Sequence, residues 1–359
     1  MVPVLVPAPQ RRCDWSPTEW GFLLYFSWMT ALALIMQDGL FLREWAFVNG
    51  LALLYLGGLR ALRGNPARLA TRWSGQVTRQ LIALLVLIGL AYREAGTFGD
   101  RLAPSIEAWL IRTDLRWFGV NWAYRFPPQP GLLTDLMQSI YLINYVLLLL
   151  GIVLAANLNG RILPGRRRPN RLALLQGVSA ALFLGLLLCY VAFPFLPAIT
   201  PRLYFAQLRL ASSGAAQDLN WMLLARFSTP SGILPSGHVA GPVALACAFW
   251  AQRYRGWGIF FLISAVLIAV ATVYGDYHFV ADALAGAGAG VVGWAAAQVA
   301  VQHRSWFVLR GSWFVVQDNS ALVVPATTNC EPTSIRWGLD QRSPGRVGSI
   351  WNASLKRLK

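Results

Sequence analysis

The chain has 359 residues, of which 56% are hydrophobic and only 13% are charged, and its mean hydropathy is +0.48. A soluble protein has about one-quarter charged residues, and this composition excludes a disordered chain, a collagen-like repeat and a disulfide scaffold. The four cysteines form no Cys-x-x-Cys pair, and three histidines are too few for a typical transition-metal cluster. We therefore expect a protein whose solvent is largely lipid, with no metal and no other cofactor.

Eight apolar segments approach the length of about 20 residues that a membrane-spanning helix needs. In chain order they are 20–36, 46–62, 77–92, 133–156, 172–193, 236–251, 258–275 and 279–301. The third is short, the second contains Gly57 and Gly58, and small residues lower the hydropathy of the eighth. The pattern predicts an all-α polytopic membrane bundle of about six to eight transmembrane helices.

The net charge of +16 is explained by the topology of these segments. With the N-terminus inside, the internal segments hold 22 of the 31 lysines and arginines, as the positive-inside rule requires. This distribution favours topology and attraction to anionic lipid headgroups over nucleic-acid binding. It also predicts a multi-pass protein with both termini cytoplasmic.

The same topology divides the chain into four parts. Residues 1–92 hold about three transmembrane helices without a cleaved signal, and residues 93–131 form an external segment with an interfacial helix within Arg101–Trp117. Residues 132–301 form the catalytic membrane domain, and residues 302–359 form a polar cytoplasmic tail.

The few polar residues at the external ends of the last helices are the candidates for chemistry. Ser236, Gly237 and His238 open the sixth segment, and a helix N-terminus of this kind offers backbone N–H groups and a positive dipole to an anion. His278 and Asp282 are four residues apart, which places an imidazole beside a carboxylate on one helix face. These residue types fit phosphate chemistry by a histidine nucleophile and a second imidazole as proton donor.

Two arginines of the external loop are candidates for neutralising the phosphate. Arg202 follows the fifth segment, and Arg226 lies further along the same loop. A planar guanidinium suits phosphate oxygens, but an arginine at this depth is also typical of an interfacial residue whose side chain extends to the headgroups. His303, at the inner end of the last segment, is interpreted as an ordinary interfacial residue.

These motifs resemble those of the type 2 phosphatidic acid phosphatase superfamily. Pro235–His238 match its Pro-Ser-Gly-His element, and His278 with Asp282 and the small residues 284–286 match its later element. The Phe-Pro…Pro-Arg stretch that ends at Arg202 is similar to the branch of inositol phosphorylceramide synthases. The resemblance covers roughly residues 130–301.

The resemblance implies a six-helix phosphatase-type core and a phosphohistidine intermediate. His278 would be the nucleophile, Asp282 would orient it, His238 would be the general acid and base, and Ser236 and Gly237 would contact phosphate. Two cationic positions of the family are replaced, one by Phe195 and one by Thr272.

Together with the resemblance, the sequence predicts a metal-independent lipid phosphate phosphatase or phosphotransferase of a bacterial-type inner membrane, with its site on the periplasmic face. Its substrate would be a phospholipid or a prenyl phosphate. One alternative is a head-group transferase that moves a phospho-alcohol, for example phosphoinositol, to an alcohol acceptor. A lower alternative is a non-catalytic transporter on the same scaffold, which would need ionisable residues deep within several spans.

Overall fold

In a computed structural model, the described residues are 16–36, 39–63, 73–99, 106–125, 131–158, 171–205, 214–229 and 232–312. Within them the chain is helical, and its only strand-like pairing is a single bridge between Ala198 and Gly232. The helices are α1 (Pro17–Met36), α2 (Gly39–Arg63), α3 (Trp73–Ile82), a π-helical segment (Ala83–Ile88), α4 (Gly89–Gly99), α5 (Ile106–Phe118), α6 (Trp122–Arg125), α7 (Leu132–Asn157), α8 (Arg171–Ala192), α9 (Pro201–Tyr204), α10 (Ala215–Phe227), α11 (Gly237–Ala251), α12 (Arg255–Tyr274) and α13 (Val280–Ser312).

Six helical stretches in the described part of the chain are long and apolar enough to cross a membrane. They are Pro17–Ile35, Gly75–Thr97, Leu132–Asn157, Arg171–Ala192, Arg255–Tyr274 and Val280–Ala300. The apolar helices Phe47–Gly58 and Gly237–Ala251 are shorter. Each of the eight predicted segments overlaps one of these helices, so the all-α, multi-pass class is confirmed.

Two helices continue past the predicted boundaries at residues 92 and 301. Residues 93–99 are the end of α4, and Glu94 of this helix is fully buried. The Nδ2 atom of Asn49 on α2 donates a 2.7 Å hydrogen bond to the Glu94 carboxyl group, which lets the helix continue through a charged position. At the other end, α13 extends beyond 301 to Ser312. Residues 313–359 of the predicted tail lie outside the described residues.

The bundle is organised around α8, whose apolar window is 72% buried, against 33% for α12. Helices α1, α7, α11 and α13 all pack on α8. Small residues permit close approach, since a Cβ added at Gly293 of α13 would lie 2.3 Å from the backbone nitrogen of Gly185 on α8. In a bilayer, where burial of apolar surface gives little drive for association, such close packing holds helices together.

The helix predicted within Arg101–Trp117 is present among the described residues as α5. Its Trp109 and Trp117 are exposed, while Leu110 is fully buried. Helix α5 thus has one exposed face with two tryptophans, a side chain that suits a membrane interface, and one face packed against the protein.

Candidate active site

The two histidines predicted to act together lie at the same end of the bundle. His238 is in the first turn of α11, and His278 lies in the short connection between the end of α12 and the start of α13. The connection is tight because Asp276 adopts a left-handed backbone conformation, with φ of 58°. The carbonyl oxygen of Thr272 then accepts hydrogen bonds from the N–H groups of both Tyr277 and His278. This turn fixes the backbone of His278.

The side chains of Asp282, His278 and His238 form a chain of short contacts. Nδ1 of His278 lies 3.2 Å from Oδ2 of Asp282, and both side chains are buried. Nε2 of His278 lies 3.3 Å from Nδ1 of His238. A carboxylate only accepts hydrogen bonds, so Nδ1–H of His278 donates to Asp282 and the lone pair is left on Nε2.

Two tyrosines of α7 enclose the other side of His238. The hydroxyl group of Tyr145 lies 3.2 Å from Nε2 of His238, and the Tyr141 ring is 4.8 Å from the imidazole, centroid to centroid. With Nδ1–H of His238 donating to Nε2 of His278, the Tyr145 hydroxyl donates to Nε2 of His238. The sequence reasoning missed Tyr141 and Tyr145, because on an apolar helix they resemble ordinary interface or core tyrosines.

Ser236 and the start of α11 complete the polar wall around His278. Oγ of Ser236 lies 3.2 Å from Nε2 of His278, and its backbone N–H donates to the carbonyl oxygen of Asp282. The first hydrogen bond of α11 runs from the Ala240 N–H to the Ser236 carbonyl oxygen. The preceding N–H groups of the first turn, among them that of Gly237, therefore precede the helical ladder and suit an anion.

Burial sets the protonation state of the predicted nucleophile. The His278 side chain lies almost entirely inside the protein, and desolvation of the charged form lowers its pKa to about 3. A lowered pKa keeps the imidazole neutral at physiological pH, and only the neutral ring has a free lone pair. The environment of His278 thus favours a nucleophile.

Both histidines border a cavity of about 260 Å³ with mostly apolar walls. Its polar contributors besides the histidines are Tyr92, Asn144, Tyr145 and Tyr190. One wall comes from the π-helical segment and α4, including Leu84, Leu85, Ile88 and Gly89. A π-helical segment is uncommon and is often found at functional sites. The sequence motifs gave no sign that this N-terminal helix contributes to the site.

The predicted phosphate-binding arginines do not line this cavity. The backbone N–H of Arg202 donates to the carbonyl oxygen of Asp276, so Arg202 adjoins the turn before His278. Arg226 is exposed in the last turn of α10. The two replaced positions supply no cation, since Phe195 contacts Trp28 and the Thr272 hydroxyl donates to the Ala269 carbonyl oxygen.

A second cavity of about 620 Å³ adjoins the first and shares Leu85, Gly89, Tyr92 and Tyr145 with it. Arg93 of α4 is the one lysine or arginine among the described residues that line either cavity. It follows Tyr92 directly, and sequence reasoning missed it because it stands at the apparent end of an apolar segment. In the described part of the chain, no group of three His, Cys, Asp or Glu side chains could hold a metal ion.

Comparison with known proteins relates this geometry to a family. Residues 144–306 match the family model described as the PAP2 superfamily, and this range contains both histidines, Ser236 and Asp282. Searches of curated proteins and of solved structures found no match. The apolar helices support a multi-pass membrane protein. Members of the PAP2 superfamily are generally phosphoesterases or phosphotransferases, and residues 144–306 of this chain match that superfamily.

Proposed function

We propose that this protein is a metal-independent lipid phosphate phosphatase or phosphotransferase that forms a phosphohistidine on His278. One observation carries the proposal: Asp282, His278 and His238 form a continuous chain of contacts of 3.2 and 3.3 Å beside an apolar cavity. A carboxylate that orients an imidazole whose second nitrogen is unprotonated and keeps its lone pair is the arrangement of a nucleophile. The cavity has apolar walls that suit the chain of a lipid.

In the first step, Nε2 of His278 attacks phosphorus and the bond from phosphorus to the lipid oxygen breaks. Nδ1–H of His238 gives its proton to the departing oxygen, which leaves as an alcohol, while the Tyr145 hydroxyl proton passes to Nε2 of His238, so that this imidazole stays neutral with a lone pair on Nδ1. Nε2 of His278 and Nδ1 of His238 are in mutual contact at 3.3 Å, so the two rings must separate for phosphorus to enter. Asp282 stabilises the positive charge that develops on His278.

In the second step, His238 takes a proton from water or from an alcohol acceptor. The acceptor oxygen attacks phosphorus, the bond from phosphorus to Nε2 of His278 breaks, and the phosphate or the transferred head group leaves the enzyme. Tyr145 supports this exchange because its hydroxyl group holds the far nitrogen of His238. Ser236 and the N–H of Gly237 stabilise the phosphoryl oxygens.

Phosphate charge bears on the choice between hydrolysis and transfer. No lysine or arginine lines the 260 Å³ cavity in the described part of the chain. A phosphomonoester dianion needs more positive charge than a phosphodiester monoanion, so this lining favours a phosphodiester and head-group transfer as a second candidate. Arg202, Arg226 and Arg93 remain the arginines to test as phosphate ligands. Inositol and other alcohols added to a product assay distinguish the two reactions.

The third histidine of the chain provides a matched control for the histidine variants. We expect purified His278→Ala and His238→Ala to lose turnover of a phospholipid or prenyl phosphate, while His303→Ala keeps it. All three are compared for folding by thermal unfolding in detergent. Full activity in a folded His278→Ala or His238→Ala variant would show that the mechanism is wrong.

Trapping of the intermediate tests the nucleophile directly. Alkaline denaturing quench of the wild type with lipid radiolabelled at phosphorus should leave a base-stable, acid-labile label on His278, and His278→Ala should leave none. Label on a serine or an aspartate would contradict the proposal. Activity should persist in excess chelator, and a transporter on this scaffold would show neither turnover nor label.

The topology that predicts cytoplasmic termini also predicts that the site lies at the outer face of the membrane. Its test is the reaction of a cysteine substituted at the exposed Tyr204 with a membrane-impermeant thiol reagent in intact cells. Labelling only after the membrane is opened would overturn this orientation.

A further inference from the structure

Helix α5 lies outside the matched residues 144–306, yet it contacts the turn that presents His278. Two of its acidic residues, Glu107 and Asp114, are buried, at 1% and 0% exposure. A buried carboxylate is costly unless it is hydrogen-bonded. Neither residue is used in the proposed reaction, so each needs another reason to be inside the protein.

Asp114 caps the helix that carries Asp282. Its Oδ2 accepts a 3.1 Å hydrogen bond from the N–H of Val280, and its Oδ1 accepts a 2.9 Å bond from the N–H of Ala281. These are the first two residues of α13, and His278 lies two residues before them. One carboxylate therefore accepts from two of the three N–H groups that lie between His278 and Asp282 in the chain.

Helix α13 has no cap of its own at this end. The residue before Val280 is Phe279, whose side chain has no hydrogen-bond acceptor, whereas an N-cap position is normally filled by Ser, Thr, Asp or Asn. The N–H groups of a first helical turn that lack a partner are costly in a water-poor site. A carboxylate from a separate helix, Asp114, replaces the missing cap.

Two further contacts of α5, made by Leu110 and Glu107, fix the position of this helix. Leu110 packs in a buried cluster with Ala198, Ile233, Leu234, Phe279 and Ala281. Glu107 accepts a hydrogen bond from the N–H of Ile199, in the loop that leads to Arg202. Helix α5 is therefore joined to both loops that border the candidate site.

We infer that Asp114 is a positioning residue that sets the orientation of His278 and Asp282 by capping α13 from outside the catalytic helices. This inference rests on the proposed function of His278. Loss of the cap frees the start of α13 and lets the imidazole move relative to the phosphate site. A displacement of about 1 Å at a reacting group can cost on the order of 100-fold in rate.

The test compares Asp114→Ala, which removes both acceptors, with Asp114→Asn, which keeps one oxygen. We expect kcat to fall about 10- to 100-fold in Asp114→Ala with KM changed less than about twofold, because the lipid cavity is untouched. The kcat of Asp114→Asn should fall less, by about three- to tenfold. Arg112→Ala, an exposed change on the same helix, should keep wild-type turnover.

Hydrogen exchange gives a structural readout of the same variants in the full-length protein. Asp114→Ala should speed exchange at the amides of Val280 and Ala281, which lose their acceptor, and should leave Ile199 unchanged. If Asp114→Ala does not fold, Asp114→Asn decides by its turnover.

The outcomes separate the two proposals. Wild-type kcat in either folded Asp114 variant overturns this inference while an inactive His278→Ala leaves the proposed function in place. A rise in KM with unchanged kcat also overturns it, since that would assign Asp114 to binding. Activity in His278→Ala overturns the proposed function and this inference together.

Discussion

A methyl group added at Gly286 tests how closely the site depends on helix packing. A Cβ built on this residue of α13 would lie 2.3 Å from the carbonyl oxygen of Ser236, and real Cβ atoms essentially never come within 3.0 Å of such an atom. One of the two backbones must therefore move by at least about 0.7 Å. The shift is transmitted to the reacting groups, because Ser236 contacts Nε2 of His278 and its N–H bonds to Asp282.

We expect Gly286→Ala to lower kcat by about 10- to 100-fold, in line with the cost of a misplacement approaching 1 Å. Overpacking should also destabilise the fold by about 1–3 kcal/mol, partly offset by the gain of up to about 1 kcal/mol from replacing a helical glycine. The assay is turnover of a short-chain lipid phosphate in detergent, with thermal unfolding of the same sample.

Gly288→Ala is the matched control, because this glycine lies on the same helix and has no atom within 4 Å of the added methyl group. It should keep wild-type kcat and unfold at the same or a slightly higher temperature. Wild-type turnover and stability in Gly286→Ala would refute the packing of α13 against Ser236. An equal loss of activity in both variants would assign the effect to helix flexibility instead.

Two further predictions concern protonation and a buried polar pair. Because the pKa of His278 is lowered to about 3, its neutral form persists as the pH falls. The acid limb of the kcat/KM profile for a phosphodiester substrate should therefore lie below pH 5. If the imidazole had its ordinary pKa of about 6.5, kcat/KM would already be about 30-fold lower at pH 5. An acid limb with its midpoint near pH 6.5 would contradict the effect of burial on His278. Asn49→Ala should destabilise the protein by about 1–3 kcal/mol in thermal unfolding, since it removes the 2.7 Å hydrogen bond to buried Glu94. The control is Asn157→Ala, a substitution at an exposed position. If Asn49→Ala and Asn157→Ala unfold at the same temperature, the pair of Asn49 and Glu94 has no stabilising role.

The buried pair of Glu94 and Asn49 shows why the ends of helices are hard to predict from the sequence. Hydropathy falls at Arg93 and Glu94, so the sequence predicts that the third span stops at 92. Only packing reveals that the Glu94 carboxyl group meets an amide on α2 and stays inside the bundle. Partners of this kind are distant in sequence, and a local pattern has no information about them.

The amino-acid sequence by itself determined the helical class, the number of apolar segments and the pairing of His278 with Asp282. Apolar run length, charge asymmetry and the four-residue spacing are local properties, and each follows from bilayer thickness or helix geometry. The tertiary structure decided which residues surround the histidines: Tyr145 from α7, the π-helical segment and the cap from Asp114. These contacts join helices far apart in the chain, and their geometry depends on which helix faces pack together.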